Sequence, residues 1–286
     1  MSATPTASYS AAGTQRPPAT RNAGFARLMQ AEWTKIRSVR STTWTLIMFV
    51  IITVGFTALI SWVTVANWNG PQAGPRDARA LTDPTAVIFG VAIYLGQLTL
   101  AVLGVLVISS EYSTGVIRAS LLAVPKRLPM LAAKIVVFAL AIGALAEIVA
   151  FASFYIGSAI LHSHVHVALS DPNVLRATLG AGLYLTAFGL FAMAVGLLMR
   201  HTAGAISVAI AVGFVVPILA GLLPDTSLWN HIVGYLPVQA GTTVLTVHPT
   251  GGDAVVLSAW QGFGVLCIWV VVLMSIGAYL LERRDA

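Results

Sequence analysis

The residues of this chain that could do acid–base, metal or nucleophilic chemistry are few and widely spaced. Of the ten acidic residues, only Glu147 lies deep inside a long apolar segment. A helical rise of about 1.5 Å per residue from Lys134 places Glu147 roughly 20 Å into that segment, past the middle of a bilayer. An ionisable group at this depth indicates function by default. Two interpretations stay open: Glu147 lines a path for a cationic or polar substrate, or it is protonated and hydrogen-bonded to a neighbouring helix.

Three histidines alternate with other residues in the sequence HSHVHV, at His162, His164 and His166. In an extended strand this spacing places all three on one face, and histidine is a common metal ligand. The run is short and has no Cys or Met beside it. We therefore interpret it as a solvated loop, with metal binding as the alternative.

Motifs for nucleotide, dinucleotide or zinc chemistry do not occur in the sequence. It has no G-x-x-x-x-G-K-[ST], no G-x-G-x-x-G and no H-E-x-x-H. Its single cysteine, Cys267, allows neither an intramolecular disulfide nor a C-x-x-C site. A membrane-embedded enzyme would need several polar groups converging near one interface, and these are lacking. We expect no catalytic, cofactor or metal site here, so any ATP that drives the protein must bind to another chain.

Composition and apolar runs indicate an all-α, polytopic membrane protein. Apolar residues make up 57% of the 286 residues and charged residues only 9%, whereas soluble domains carry about 25% charged residues. Six continuous apolar windows are long enough to cross the bilayer as helices, which needs roughly 20 residues each. They lack the alternation of a membrane barrel. The predicted spans are Thr43–Val65, Val87–Ser109, Ile135–Ile160, Leu179–Met199, Ala203–Leu223 and Ala259–Leu281.

The distribution of Lys and Arg predicts the orientation. Of the 16 basic residues, 13 fall on the side that holds both termini, and three (Arg76, Arg79 and Arg176) fall on the other. Basic loops stay cytoplasmic, so we expect both termini in the cytoplasm and the protein in the plasma membrane. Because these charges lie in short segments between spans, they favour membrane topology over nucleic-acid binding. Residues 1–23, rich in Ser, Thr, Ala and Pro, read as a disordered tail.

The segment 24–41, before the first span, has the pattern of a basic amphipathic helix. Apolar residues, with Trp33 at the edge, share one arc at 100° per residue, and polar residues occupy the other. Such a helix suits the membrane interface. Glu32 lies in the middle of the apolar arc, where a carboxylate is costly unless paired. It either forms a salt bridge with a neighbouring cytoplasmic segment, Arg118 being the candidate, or extends to water.

The loop between the second and third spans, EYSTGVIRASLLAVPKR, predicts a short helix over residues 111–126. Glu111 and Arg118 are seven residues apart and share one face of that helix. Most other positions are apolar or small, so something must cover them, either the protein's own bundle or a partner.

These two segments carry a resemblance. AEWTKIRSVRSTTW before the first span and EYSTGVIRASLLAVPKR after the second resemble the permease subunits of ABC exporters with six spans per subunit. YLPVQAGTTVL, residues 235–245, is similar to an extracellular element before the last span of that family. The resemblance extends in element order from about residue 24, and none of its motifs is catalytic.

The resemblance implies that 24–41 is an elbow helix and that 111–126 is a coupling helix docked on a separate ATP-binding subunit. Glu111, Tyr112, Gly115 and Arg118 would transmit the motion. Two permease subunits, identical or different, and two ATPase subunits, which bind ATP and Mg, would form the transporter. The cargo, a drug, lipid-like molecule or peptide, stays open. An ion- or proton-coupled secondary transporter that uses Glu147 is the alternative.

Three further features concern the second half of the chain. Pro217, inside the fifth span, should kink that helix and free a carbonyl group. The segment 224–258 is too long for a bare connection, and a short helix from Pro237 would either re-enter the bundle or lie on its outer surface. Glycines along the fourth span should allow close helix packing; these are Gly180, Gly182, Gly189 and Gly196.

Overall fold

The structure is a computed structural model that describes residues 24–70, 75–113, 127–222, 227–247 and 257–283. These residues are mostly helical, and no strand occurs among them. The predicted all-α class is therefore confirmed for the described part of the chain. The tail 1–23 lies outside the described residues.

The described helices are numbered here in chain order. Helix α1 spans Phe25–Ser38, α2 Arg40–Ala66, α3 Pro75–Thr82, α4 Pro84–Ser113, α5 Arg127–Leu161 and α6 Val174–Met199. The fifth span consists of α7 (Thr202–Ile210), a π-helical turn (Ala211–Val215) and α8 (Val216–Leu222). Helices α9 (Ser227–Gly234) and α10 (Pro237–Thr242), a 3-10 turn (Thr243–Leu245) and α11 (Ala259–Arg283) complete the chain.

In the part of the chain that the structure describes, six helices are long and apolar enough to cross a membrane: α2, α4, α5, α6, the fifth span and α11. They coincide with the six predicted windows, and most extend a few residues beyond them because helix ends can carry polar residues into the interface. The chain is a multi-pass membrane protein. Since the number of spans is even, residues 24–38 and 283 lie on the same side of the bundle. We call the side of the bundle that contains residues 24–38 and 283 the terminal side, and the other side the opposite side.

Helix α6 is the centre of the bundle. Of its most apolar stretch, 72% is buried, against 17–56% for the other five spans. Helices α4, α5 and α11 all pack against it. This position explains its composition, because a helix surrounded by other helices needs small residues where their backbones approach.

The glycines of α6 lie at these approaches, as the sequence predicts. A Cβ atom added at Gly196 would lie 3.2 Å from the backbone of Val105 on α4, and one at Gly189 3.1 Å from the ring of Phe138 on α5. Helix α4 also has a glycine at this contact: Gly104 lies against the backbone of Gly189. In lipid, such close packing provides the attraction between helices that hydrophobic burial cannot.

The fifth span confirms that Pro217 frees a carbonyl group. Proline has no N–H, so it cannot bond the carbonyl four residues earlier, that of Gly213. The side-chain amide of Gln97, on α4, donates a hydrogen bond to this oxygen over 2.6 Å. The Tyr184 hydroxyl, on α6, donates in turn to Gln97 Oε1. Gln97 and Tyr184 are fully buried, so a polar chain joins three spans inside the bundle.

The segment that precedes the last span inserts into the bundle. Val238, Ala240 and Val244 are fully buried, and α10 contacts α11, α6 and the π-helical turn. Trp269, about 15 Å along α11 from its start, donates to the Tyr235 carbonyl over 3.0 Å. Of the two placements that the sequence left open, this burial corresponds to the re-entrant one.

Arg176 binds the residues that follow α10 in this inserted segment. Its guanidinium, near the start of α6, donates to the Val244 and Thr246 carbonyls over 3.1 and 2.8 Å. These carbonyls follow α10, where helix geometry leaves acceptors unpaired. Residues 223–226 and 248–256, which complete the predicted 224–258 segment, lie outside the described residues.

The polar chain gives a stability prediction. Gln97→Leu leaves the Gly213 carbonyl and the Tyr184 hydroxyl without partners, so we expect a loss of about 1–3 kcal/mol in the free energy of unfolding. Pro217→Ala restores an N–H four residues after Gly213. The cost of Gln97→Leu should therefore shrink in the Pro217→Ala background. Thermal unfolding in detergent measures both effects.

Gln261→Leu is the matched control, because Gln261 is exposed at the start of α11 and its side chain accepts a hydrogen bond from the nearby Ser258 amide. It should change stability by less than about 0.5 kcal/mol. Equal effects of the Gln97 and Gln261 substitutions would contradict the assigned role of the polar chain.

Candidate functional site

The terminal side of the bundle contains a buried ion pair between α1 and α5. Glu32 is only 6% exposed, and Lys134 5%. The Glu32 Oε2 atom lies 2.7 Å from Lys134 Nζ, and Oε1 lies 2.8 Å from Lys35 Nζ. An ammonium group thus lies at each carboxylate oxygen, at a position where the helix surface is otherwise apolar.

The amphipathic pattern of α1 is also present in the structure. Leu28, Met29 and Ile36 are partly buried on the same face as Glu32, which packs on α5. The polar residues predicted for the other face, Arg27, Gln30, Thr34, Arg37 and Ser38, are all exposed. Trp33 is half exposed at the edge, as expected for an interfacial tryptophan.

The predicted salt bridge of Glu32 to a neighbouring segment is thus found, with Lys134 as its partner. The candidate that the sequence favoured, Arg118, lies outside the described residues, so its own contacts stay a prediction. Lys134 follows Glu32 by 102 residues, and charge alone does not distinguish it from the other lysines and arginines on this side.

A cavity of about 320 Å³ adjoins this ion pair. Glu32, Lys35 and Lys134 lie along its wall, and it reaches Ser110 near the end of α4. The cavity therefore connects the α1–α5 contact with the point where the second span leads into the predicted coupling segment.

Two of the four residues predicted to transmit motion fall within α4. Glu111 and Tyr112 belong to the last turn of this helix, so the second span continues into the start of the predicted 111–126 segment. Gly115 and Arg118 lie outside the described residues. Their docking role stays a prediction.

Glu147 lies where α5 crosses α6. A Cβ atom added at Gly182 would meet Glu147 Oε2 at 2.6 Å and Oε1 at 2.7 Å, so the carboxyl group occupies the space that a side chain would fill. Oε2 is buried and has no hydrogen-bond partner among the described residues. The nearby Thr186 hydroxyl donates to the Gly182 carbonyl instead. One of the two interpretations of Glu147 was a hydrogen bond to a neighbouring helix. The described part of the bundle contains no partner for such a bond.

The three histidines follow α5 on the opposite side and do not converge. The rings of His162 and His166 have centroids 4.1 Å apart. The ring of His164 stacks instead near Trp68, at 4.7 Å. Among the described residues, no group of three potential metal ligands comes together.

A groove of about 610 Å³ on the opposite side was not anticipated from the sequence. It lies between α2, α4 and the fifth span, and Arg79, from α3, is at its edge. Its other lining residues are mostly apolar; they include Ile60, Val87, Gly90, Phe214 and Ile218. The one available sequence signal was Arg79 itself, among the few basic residues on that side.

Comparison with known proteins identifies no relative: no family model matches the chain, and no curated protein matches it. The function must therefore be argued from these residues and their geometry.

The buried ion pair gives a double-mutant prediction. Lys134→Met leaves Glu32 with only its partly exposed partner, and we expect a loss of about 3 kcal/mol in the free energy of unfolding. Glu32→Met together with Lys134→Met should recover most of it, because apolar pairs replace buried ion pairs at little cost. Lys35→Met is the control and should cost less than about 1 kcal/mol, since Lys35 is 43% exposed. A double variant no more stable than Lys134→Met would refute the pairing.

The contact of Glu147 with Gly182 gives a second prediction. Gly182→Ala forces the carboxyl group aside and should cost about 1–3 kcal/mol. In the Glu147→Ala background, where the space is empty, the same change should cost little. Gly143→Ala is the control, because its Cβ would meet Thr186 at 3.5 Å, an ordinary contact. If Gly182→Ala costs the same in both backgrounds, Glu147 does not occupy that space.

Proposed function

We propose that this chain is the transmembrane permease subunit of an ABC exporter, driven by ATP that a separate subunit hydrolyses. The resemblance of residues 31–44, 111–127 and 235–245 to that family supports this, as do the six spans. ATP and Mg would bind to the partner, consistent with a sequence that has no phosphate-binding loop. A second permease subunit, identical or different, would complete the transporter in the plasma membrane.

The observation that carries this proposal is the buried ion pair of Glu32 with Lys134. Helix α5 begins directly after the predicted coupling segment, and Lys134 lies in its second turn. The ion pair fastens α1 to that turn. A displacement of the coupling segment would therefore move α5 and α1 together, as a rigid unit, instead of being absorbed by a loose contact.

In this proposal α1 is the elbow helix at the cytoplasmic interface, and both termini are cytoplasmic. The exposed apolar side chains of Phe25 and Trp33 support the interfacial position. The 13 basic residues on the terminal side support the orientation. Glu111, Tyr112, Gly115 and Arg118 would lie at or near the contact with the ATPase.

In this proposal the fifth span would bend when the coupling segment is displaced. A π-helical turn followed by proline interrupts the regular hydrogen-bond ladder at Ala211–Val215 and Pro217. Interruptions of this kind are where helices bend. Because Gln97 bonds the freed Gly213 carbonyl, a change of bend would have to involve α4, the helix that leads to the coupling segment.

A proton- or ion-coupled secondary transporter is the second candidate function, and the position of Glu147 favours it. Its carboxyl group has a buried oxygen without a described partner, which suits a site that gains and loses a proton. In that case collapse of the proton gradient would abolish transport and ATP depletion would not.

The proposal predicts a stable complex with an ATPase. If an ATP-binding protein is encoded beside its gene, the tagged chain coexpressed with that protein should copurify with it. Arg118→Glu should weaken copurification at least tenfold, because it reverses a charge at the predicted contact. Arg27→Glu, an exposed change on the same side, should not. Failure of the wild-type proteins to copurify, together with intact ATP-dependent transport in Arg118→Glu, would overturn the coupling assignment.

A further inference from the structure

We propose that the groove on the opposite side binds one anionic membrane lipid, with its hydrocarbon chain between the spans and its headgroup on Arg79. This inference does not rest on the ATP-driven function, because it concerns a site remote from the terminal side.

The groove has the size and the lining of a ligand site. Its volume of about 610 Å³ falls in the range of roughly 300–1,000 Å³ typical of ligand pockets. Thr64, Arg79 and Tyr94 are the polar side chains in its wall, and the other lining residues are apolar or glycine. Such a wall suits hydrocarbon and leaves a soluble anion little to contact.

The depth of the groove corresponds to one lipid leaflet. Ile60 lies six residues before the end of α2, and Tyr94 lies ten residues after the start of α4. At about 1.5 Å per residue, the lining extends roughly 9–15 Å from the helix ends on the opposite side. Half of a hydrocarbon core about 30 Å thick is about 15 Å. A chain from the leaflet on that side would therefore lie along the whole groove.

The groove is also accessible from the lipid. Val91, Phe214 and Ile218 line it, and each is between 38% and 49% exposed. Gly90 leaves a gap in the wall of α4, since a Cβ there would meet no atom within 4 Å. A hydrocarbon chain can fill this gap without displacing any described side chain.

Arg79 provides charge complementarity at the level of the headgroups. It is exposed on α3, and its guanidinium forms no ion pair with a described residue. The two nearest acidic residues in sequence are buried and engaged: Asp77 accepts from the Asn69 amide, and Asp83 accepts from the Thr85 hydroxyl and the Ala86 amide. The guanidinium is thus available, and its fork matches the geometry of a phosphate.

Native mass spectrometry of the purified full-length chain, with added phosphatidylglycerol or phosphatidylcholine of the same acyl chains, tests this. We expect one preferred phosphatidylglycerol adduct. Arg79→Gln should weaken it about fivefold, the equivalent of roughly 1 kcal/mol for one basic residue at a headgroup. Gly90→Phe, which fills the groove, should abolish it. Gly55→Phe is the control, because Gly55 is equally open but lies outside the groove.

Equal phosphatidylglycerol binding by the wild type and both single variants would overturn the proposal. The proposal would also be overturned if the wild type bound both lipids equally and Arg79→Gln did not change the binding. That result would indicate contact with the hydrocarbon chains only. A change of oligomeric state in Gly90→Phe, with the lipid count unaltered, would assign the groove to a second copy of the chain instead.

Discussion

A polar group in the interior of a membrane bundle must find its partner within the protein, because lipid offers none. This constraint explains why the spans are helices, and it accounts for the less regular features too. Pro217 deprives the Gly213 carbonyl of its helical donor, and the Gln97 amide replaces it. Glu32 lies on the apolar face of α1, and Lys134 forms an ion pair with it. Each of these two departures from a plain apolar helix is matched by a partner on another element.

Among the buried polar atoms without a hydrogen-bond partner in the described part of the chain, Glu147 Oε2 is the one that belongs to a carboxyl group. Its carboxyl group is held against Gly182, where the absence of a side chain makes room, yet Oε2 has no hydrogen-bond partner there. Buried polar groups without hydrogen-bond partners occur mostly where function requires them. The same logic distinguishes Glu147 from Glu32: both carboxylates lie in apolar surroundings, but only Glu32 is paired, and its role is to fasten two helices.

The two sides of the bundle differ in how they are built. On the terminal side, α1 is attached to α5 by charge, and a cavity extends from this contact toward the end of α4. On the opposite side, α10 inserts among the spans, and hydrogen bonds from Arg176 and Trp269 hold the residues that flank it. The groove lies beside this insertion and adjoins the interrupted fifth span. A bend at Pro217 would therefore change the shape of the groove, because Pro217 is part of its wall.

The sequence by itself determined the six spans, the amphipathic α1 and the freed carbonyl near Pro217, because run length, periodicity and the missing proline N–H are local properties. It also showed that Glu32 needs a partner unless its side chain extends to water. Only the tertiary structure decided which partner: Lys134 is 102 residues away, and Gln97 is 116 residues from Gly213. The groove around Arg79 depends likewise on which helices become neighbours. That choice follows from packing summed over whole helix faces, and no short stretch of sequence contains it.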